Sequence, residues 1–236
     1  MQASMEFNEQ HLEELAVSLN DPAVREEYKK PYDGYKPALI PRILGGFIVI
    51  AGNIVFGDTP SYLKFRAVEV IARVPYHSWD SAAFTILTTC YQNAEKALKL
   101  GNTARYARMA KDNETMHVVV ISALAKQEEH ANPLIHTAIP LLFALFYFWV
   151  SYWLYLIKPR YSLELNYLFE SHAYEQYSIF LADRGDELRQ KSVDSEYLRW
   201  YGRHAKTHFE LFELIRNDEL IHRNRSIREI KEGGLK

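Results

Sequence analysis

A chain of 236 residues with 28 Lys and Arg against 30 Asp and Glu is nearly neutral, at a formal −2, and its cations are spread along its length. This pattern lacks the clustered basic footprint of a nucleic-acid binder, so no nucleic-acid partner is expected. The single Cys90 excludes an internal disulfide and a cysteine-held zinc, and it fits a reducing compartment.

In chain order, residues 1–36 read as an N-terminal arm with one short helix, punctuated by Asn20-Asp21-Pro22 and by the Pro31-Tyr32-Asp33-Gly34 turn. Its first twenty residues hold Glu6, Glu9, Glu13 and Glu14 and no arginine, unlike a secretory signal or a transit peptide. Residues 37–236 read as one domain. The run 38–56 is an apolar helix broken by Arg42, Gly45, Gly46 and Asn53. After Gly57-Asp58-Thr59-Pro60, with Asp58 or Thr59 available as cap, helix is expected from about 60 to 98 with a kink at Pro75. Gly101-Asn102-Thr103 is expected to open a helix to about 126, and Asn132-Pro133 opens the next stretch.

From Ala131 to Ile157 there is no formally charged residue, a length that would license a membrane-spanning helix. Helix resumes from about 161 to 181, is expected to break at Arg184-Gly185-Asp186, and returns from about 194 to 230. No strand pattern and no repeat is apparent. The 16 Tyr, 12 Phe and 4 Trp are enriched around 142–180, as in a membrane-interface region.

Two Glu-x-x-His pairs, Glu114/His117 and Glu219/His222, fall in helical sequence. A spacing of three puts both side chains of a pair on one face, where a carboxylate and an imidazole reach the same ion. Glu69, within Ala67-Val68-Glu69-Val70-Ile71-Ala72, and Glu170, after Tyr167-Leu168-Phe169, are acids in apolar settings. Acids so placed need a partner, because an unpaired buried carboxylate is costly. The order E, ExxH, E, ExxH supplies the four Glu and two His of a carboxylate-bridged two-metal helical bundle. Taken singly, each pair is more often a solvated helix face.

The apolar run 134–157 lies between the first Glu-x-x-His pair and Glu170. A single crossing there would leave half of the ligands on each side of a bilayer, which is incompatible with one metal site. The runs at 38–56 and 134–157 are therefore expected to lie along one leaflet as interfacial helices, a monotopic arrangement. The competing expectation is a true span without a metal site.

The sequence resembles the alternative oxidase family of non-haem diiron quinol oxidases, over about residues 37–226. Val68-Glu69 through Val74-Pro75 is similar to the family's LET-x-A-x-VP segment. Asn113-Glu114-Thr115-Met116-His117 resembles NERMH, Phe169-Glu170-Ser171-His172-Ala173 resembles LEEEA, and Arg216-Asn217-Asp218-Glu219-Leu220-Ile221-His222 resembles RADEAHH. Ser171 and His172 replace two glutamates of LEEEA, Gln176 stands where a small hydroxyl residue precedes the family tyrosine, and Thr115 replaces an arginine.

The resemblance implies an all-α, ferritin-like four-helix diiron bundle with two additional interfacial membrane-binding helices. It also implies two iron ions and oxidation of ubiquinol or a related quinol by oxygen, giving water without proton pumping. Glu114 and Glu219 would bridge, and Glu69, Glu170, His117 and His222 would be terminal ligands. Asn113 and Asp218 would orient the histidines, Tyr177 would carry a proton and an electron, and Trp200 falls at the family's distance before Glu219. Leu168 and Ala173 would lie near the quinol head, with Arg66 or Lys64 assisting. A homodimer through the second and third long helices, in a bacterial or organelle inner membrane, completes the implied picture. A membrane-associated diiron hydroxylase of the quinone-biosynthesis type is the alternative, and a metal-free helical protein is a more distant one.

Overall fold

The computed structural model describes residues 9–128 and 130–232; the first eight residues of the expected arm lie outside them. Among the described residues ten helices follow in order: α1 (Glu9–Ser18), α2 (Pro22–Lys29), α3 (Leu39–Phe56), α4 (Tyr62–Ala72), α5 (Val74–Cys90), α6 (Ala94–Glu128), α7 (Ile139–Ile157), α8 (Pro159–Gln190), α9 (Glu196–Tyr201) and α10 (His208–Glu232). A 3-10 turn, Lys30–Tyr32, follows α2, and a π turn, Leu134–Ala138, leads into α7. Among the described residues the only β pairing is the isolated bridge Ser192–Thr207.

Four rods form the bundle: α4 with α5, α6, α8 and α10. Residue levels show that neighbouring rods run antiparallel. Asn166 meets Ser226 at one end of α8, while Phe180 meets Phe212 nearer the other. Likewise Glu69 lies beside His117 while Tyr76 meets Tyr106 edge-on, so the α4–α5 rod and α6 run in opposite directions. The Ser192–Thr207 bridge folds the α8-to-α10 connection back on itself, with the His208 N–H donating to the Lys191 carbonyl at 2.9 Å.

The local boundaries have identifiable causes. Ser61, not Asp58 or Thr59, caps α4, accepting from the Lys64 N–H at 3.2 Å. Pro75 sits at the start of α5, where a missing N–H costs nothing, so the expected kink becomes a break at Arg73. Asn93 opens α6 by accepting from the Lys96 N–H, which leaves Gly101-Asn102-Thr103 inside the helix. The expected break at Arg184-Gly185-Asp186 is absent because Gly185 is buried: a Cβ there would meet Arg189 at 3.0 Å and Phe209 at 3.4 Å. This glycine permits close packing and does not end α8. The final helix is instead divided, because Gly202 at φ +89° terminates α9.

The arm holds two helices and not the one expected, and it covers the outer face of α10. Leu12, Ala16 and Leu19 pack on Leu214, Leu220 and Ile221. Asn217 donates to the Ala16 carbonyl at 2.8 Å, Asn224 to the Tyr28 carbonyl at 2.7 Å, and Arg223 to Asp33 at 2.7 Å. With the bundle on one side and the arm on the other, Leu214 to Ile227 of α10 are buried without a break. At the arm's end the fully buried Glu164 accepts from the Tyr35 hydroxyl at 2.6 Å, the Ala38 N–H at 3.0 Å and Arg160 at 2.9 Å.

Helices α3 and α7 lie against α8, α4 and α5 and are mostly uncovered. Gly45 lets α3 approach α8, since a Cβ there would meet Leu168 at 3.2 Å. A serine chain ties α7 down: Ser78 donates to Ser151 at 2.7 Å, and Ser151 lies 3.3 Å from Ser162. The outward faces carry Leu39, Ile43, Phe47, Ile50 and Ile54 on α3, and Leu142, Leu145, Phe146, Trp149, Trp153 and Ile157 on α7. These positions recur every three or four residues, so each helix presents one apolar stripe. Both helices are long and apolar enough to cross a membrane.

Replacing Glu164 by Ala takes from three partly exposed donors, one of them cationic, the acceptor they share. It is expected to lower the unfolding free energy by about 3 kcal/mol, given that charge-assisted hydrogen bonds contribute roughly 1.5–3 kcal/mol each and do not add fully. Urea denaturation checks this value.

Candidate metal centre and the adjoining cavity

Each bundle rod delivers its acid from an apolar helix face. Glu69 of α4, Glu114 and His117 of α6, Glu170 of α8, and Glu219 and His222 of α10 are all buried. Their donor atoms form two quartets. In one, atoms of Glu69, Glu114, His117 and Glu219 lie within 4.8 Å of one another; in the other, atoms of Glu114, Glu170, Glu219 and His222 do. Glu114 and Glu219 belong to both.

Whether these residues suit a pair of cations is tested by their own unmet capacity. Glu69 Oε2, both oxygens of Glu114 and of Glu219, and Nδ1 of His117 and of His222 are buried without a hydrogen bond. Nδ1 of His117 stands 3.3 to 3.4 Å from Glu69, Glu114 and Glu219, and Nδ1 of His222 stands 2.7 Å from Glu114, without hydrogen-bond geometry. Four carboxylates and two imidazoles with lone pairs facing one point form a hard donor set that fits iron or manganese. Cations there would relieve the cost of burying those charges.

The electrostatics express the same crowding. Burial, reinforced by the charge of Glu114, pushes the Glu69 carboxyl up to about 8. Burial also raises Glu170 and Glu219, the latter with added repulsion from Glu114, Glu170 and Glu69. For Glu114 burial acts upward too but is overcome by the neighbouring His117 and His222, so its carboxyl is held well below the usual range. Burial would lower both histidines, but the surrounding carboxylates outweigh it and raise them.

Around the six, polar side chains hold the geometry. His117 Nε2 is 3.0 Å from Asp218, which also accepts from Asn113 at 3.2 Å. The Arg203 guanidinium grips Asp218 with two hydrogen bonds, one of 2.8 Å to Oδ1 and a short one to Oδ2. The Tyr177 hydroxyl donates to Glu69 in a short hydrogen bond. On the far side Tyr76 donates to Glu170 at 2.7 Å, and Asn166 donates to both at 3.0 Å.

A cavity of ≈ 130 Å³ opens beside this cluster, between α3, α4, α7 and α8. Its walls are mainly apolar, including Ile48, Val68, Phe143 and Phe169, and its inner end reaches Glu69, Glu170 and Tyr177. Lys64, Asn53, His172, Ala173 and Gln176 also line it. The Lys64 ammonium is fixed there by Asn53 at 3.2 Å, the Asp58 carbonyl at 3.0 Å and Gln176 at 3.1 Å. The volume is close to that of an apolar cavity of about 150 Å³ that accepts benzene, so it suits a single ring.

The structure thus brings together Glu69, Glu114, His117, Glu170, Glu219 and His222, with Asn113 and Asp218 at His117, Tyr177 at Glu69, and Ala173 on the cavity wall. Three others stand apart. Leu168 packs against Gly45 at the α3–α8 contact and does not line the cavity. Arg66 donates to Thr137 at 2.9 Å and ties α4 to the π turn. Trp200 is 75 % exposed on α9, beside Tyr197, and Arg203 occupies the place at Asp218. Sequence reasoning missed Arg203, Tyr76 and Asn166. Asn166 lies one turn before Glu170 on the same face, a usable signal. Arg203 sits in an irregular turn with none.

An all-helical bundle with two overlapping carboxylate–histidine quartets in its core is a ferritin-like diiron bundle, here carrying two extra apolar helices. The sequence profile of the alternative oxidases matches residues 58–228, and the chain belongs to the alternative oxidase family. A curated relative, "Ubiquinol oxidase 4, chloroplastic/chromoplastic" of Arabidopsis thaliana, is 27% identical over 141 residues. That match covers 60% of this chain, which spans 37% of the relative's length. No solved structure matches.

The raised carboxyls and imidazoles give metal-free protein a definite pH response. Over about pH 6 to 8 the folded form keeps on Glu69, raised to about 8, a proton that the unfolded chain has released, and the upward shifts of Glu170, Glu219, His117 and His222 act in the same sense, so stability falls as pH rises. Glu114 and Asp218, depressed in the fold, are ionised in both states over that window and contribute no slope. Thermal unfolding in chelator should show a lower midpoint at pH 8.5 than at pH 6, and adding ferrous ion should raise the midpoint most at pH 8.5.

Proposed function

We propose that the chain is a non-haem diiron quinol:oxygen oxidoreductase that oxidises ubiquinol or a related quinol and reduces oxygen to water without pumping protons. One observation carries this reading: Glu69 and Glu170 each belong to a metal quartet and also to the inner wall of a ring-sized apolar cavity. A reducing ring in that cavity would lie against the metal ligands themselves. In this reading Glu114 and Glu219, shared by both quartets, would hold both iron ions, with Glu69 and His117 holding one and Glu170 and His222 the other.

When bound, the iron pair supplies the means to pass electrons from quinol to oxygen. Balance requires two quinols and one oxygen to give two quinones and two waters. The chain's own residues bind, orient and move protons. Lys64 spends its three N–H groups on Asn53, Asp58 and Gln176, which fixes Gln176 at the cavity wall with its amide nitrogen able to donate to one oxygen of a quinol ring. Tyr177 keeps its proton, because burial and the adjacent Glu69 push its hydroxyl well above the ordinary value. It stands hydrogen-bonded to a ligand carboxylate, where one proton and one electron can leave together. Phe65, stacked on Tyr177 at 4.0 Å between ring centroids, helps keep water from that hydroxyl.

The quinol tail points to a lipid surface. We assign the stripes of α3 and α7 to one leaflet, which makes the protein monotopic. Bundle rods precede and follow α7 in sequence, and a perpendicular crossing by α7 would separate ligands that lie within 4.8 Å of one another. The cavity's walls come from both helices, which gives the ring a route from the acyl layer. A homodimer, and residence on a bacterial or organelle inner membrane, belong to the same reading.

Metal analysis should find two irons per chain, and Glu114→Ala or His222→Ala should lose iron together with cyanide-insensitive quinol oxidation. The loss should be about 100-fold or more, since even outer partners of metal ligands contribute 10–100-fold. Full activity in either variant refutes the centre. Oxygen uptake with unmodified quinone as product supports the oxidase, whereas a hydroxylated product would identify the hydroxylase alternative.

The membrane assignment has its own check. Phe47→Glu and Trp149→Glu should each reduce partition onto liposomes about tenfold, the equivalent of about 1.4 kcal/mol of lost apolar burial. Unchanged partition in both variants refutes it.

A further inference from the structure

The grip on Asp218 comes from outside the bundle. Gly202, in the left-handed region at φ +89°, ends α9 by donating its N–H to the Arg199 carbonyl, and the Arg203 N–H donates to that of Leu198 at 3.1 Å. This turn aims the buried Arg203 side chain inward, where both Nη atoms meet Asp218. Behind it, Arg203 Nε lies 2.5 Å from the carboxylate of Glu13 on α1. A charge series therefore runs from the arm through the connection to the core: Glu13, Arg203, Asp218, His117. The two carboxylates and the guanidinium alternate in sign, so each fixes the next.

We infer that Arg203, backed by Glu13, is a positioning residue that sets the orientation of His117 and thereby the affinity of one metal position, the one formed with Glu69, Glu114 and Glu219. The inference rests on the metal reading above. Its physical basis is the bidentate fork, which allows Asp218 a single orientation, whereas a lone Asp–His contact would leave the carboxylate free to rotate. With Asp218 fixed, His117 is held through Nε2 and keeps Nδ1 toward the carboxylates. The other quartet has Glu170 and His222 as its own members, and their supports, Tyr76 and Asn166, lie on α5 and α8. The arm thus acts on one half of the centre.

The test is a cobalt(II) titration of metal-free full-length protein, followed by visible absorption and calorimetry, with His117→Ala and His222→Ala identifying the two binding steps. Arg203→Met should weaken the step that His117→Ala abolishes by about 10–100-fold and leave the other within about threefold. Arg203→Lys should recover part of the loss but not the wild-type absorption bands, because an ammonium lacks the fork. Glu13→Gln, a change at a partly exposed site, should weaken the same step by a smaller factor, and combining it with Arg203→Met should add little. Equal weakening of both steps, or no weakening in Glu13→Gln and Arg203→Lys, overturns the inference. Absence of cobalt binding by wild-type protein would overturn the metal reading itself, a separate result.

Discussion

The constraint on which the molecule depends is the burial of four carboxylates and two imidazoles at one point in a bundle core. Like charges at this separation inside protein repel strongly, and desolvation adds to the cost. The buried cations Arg203 and Lys64 are engaged by Asp218 and by the cavity-wall oxygens and not by these carboxylates. What remains is a preorganised set of donors whose mutual strain a pair of cations would relieve. Much of the structure serves to keep it so, from the polar props at each ligand to the arm that seals α10.

The two sides of the cluster are built differently. Toward the arm, polar groups and alternating charges surround His117. Toward α3 and α7, an apolar cavity brings Tyr177, Glu69 and Glu170 within reach of an uncharged ring. The proposed oxidation of a lipid-soluble quinol would call for such asymmetry, with a dry entrance and a polar support opposite. The stripes of α3 and α7 continue the dry side outward to the molecular surface.

The all-helical class, the two apolar helices and the six converging side chains were legible in the sequence because each is periodic. The Glu-x-x-His spacing, the apolar neighbours of Glu69 and Glu170, and the uncharged run before Pro159 are local patterns that helix geometry translates directly into position. Less legible was whatever depends on tertiary contact. Gly185 reads as a breaker but serves a close approach by Phe209. Trp200, at the family's interval, lies in solvent because α9 ends at Gly202, and Arg203 takes the interior place. The arm's two helices and their hold on α10 rest on asparagine side chains meeting distant carbonyls, for which no sequence rule exists.

The placement of Glu219 and His222 on α10, the last of the described helices, bears on how the molecule is made. Donors from residues 69, 114, 170 and 219 must meet, so on a ribosome neither quartet is complete until α10 has emerged. Helices α3 and α7 are synthesised well before that moment. A nascent chain would thus carry exposed grease and unmatched acids together, an interval in which early docking on a lipid surface would shield the former while the latter await the last helix.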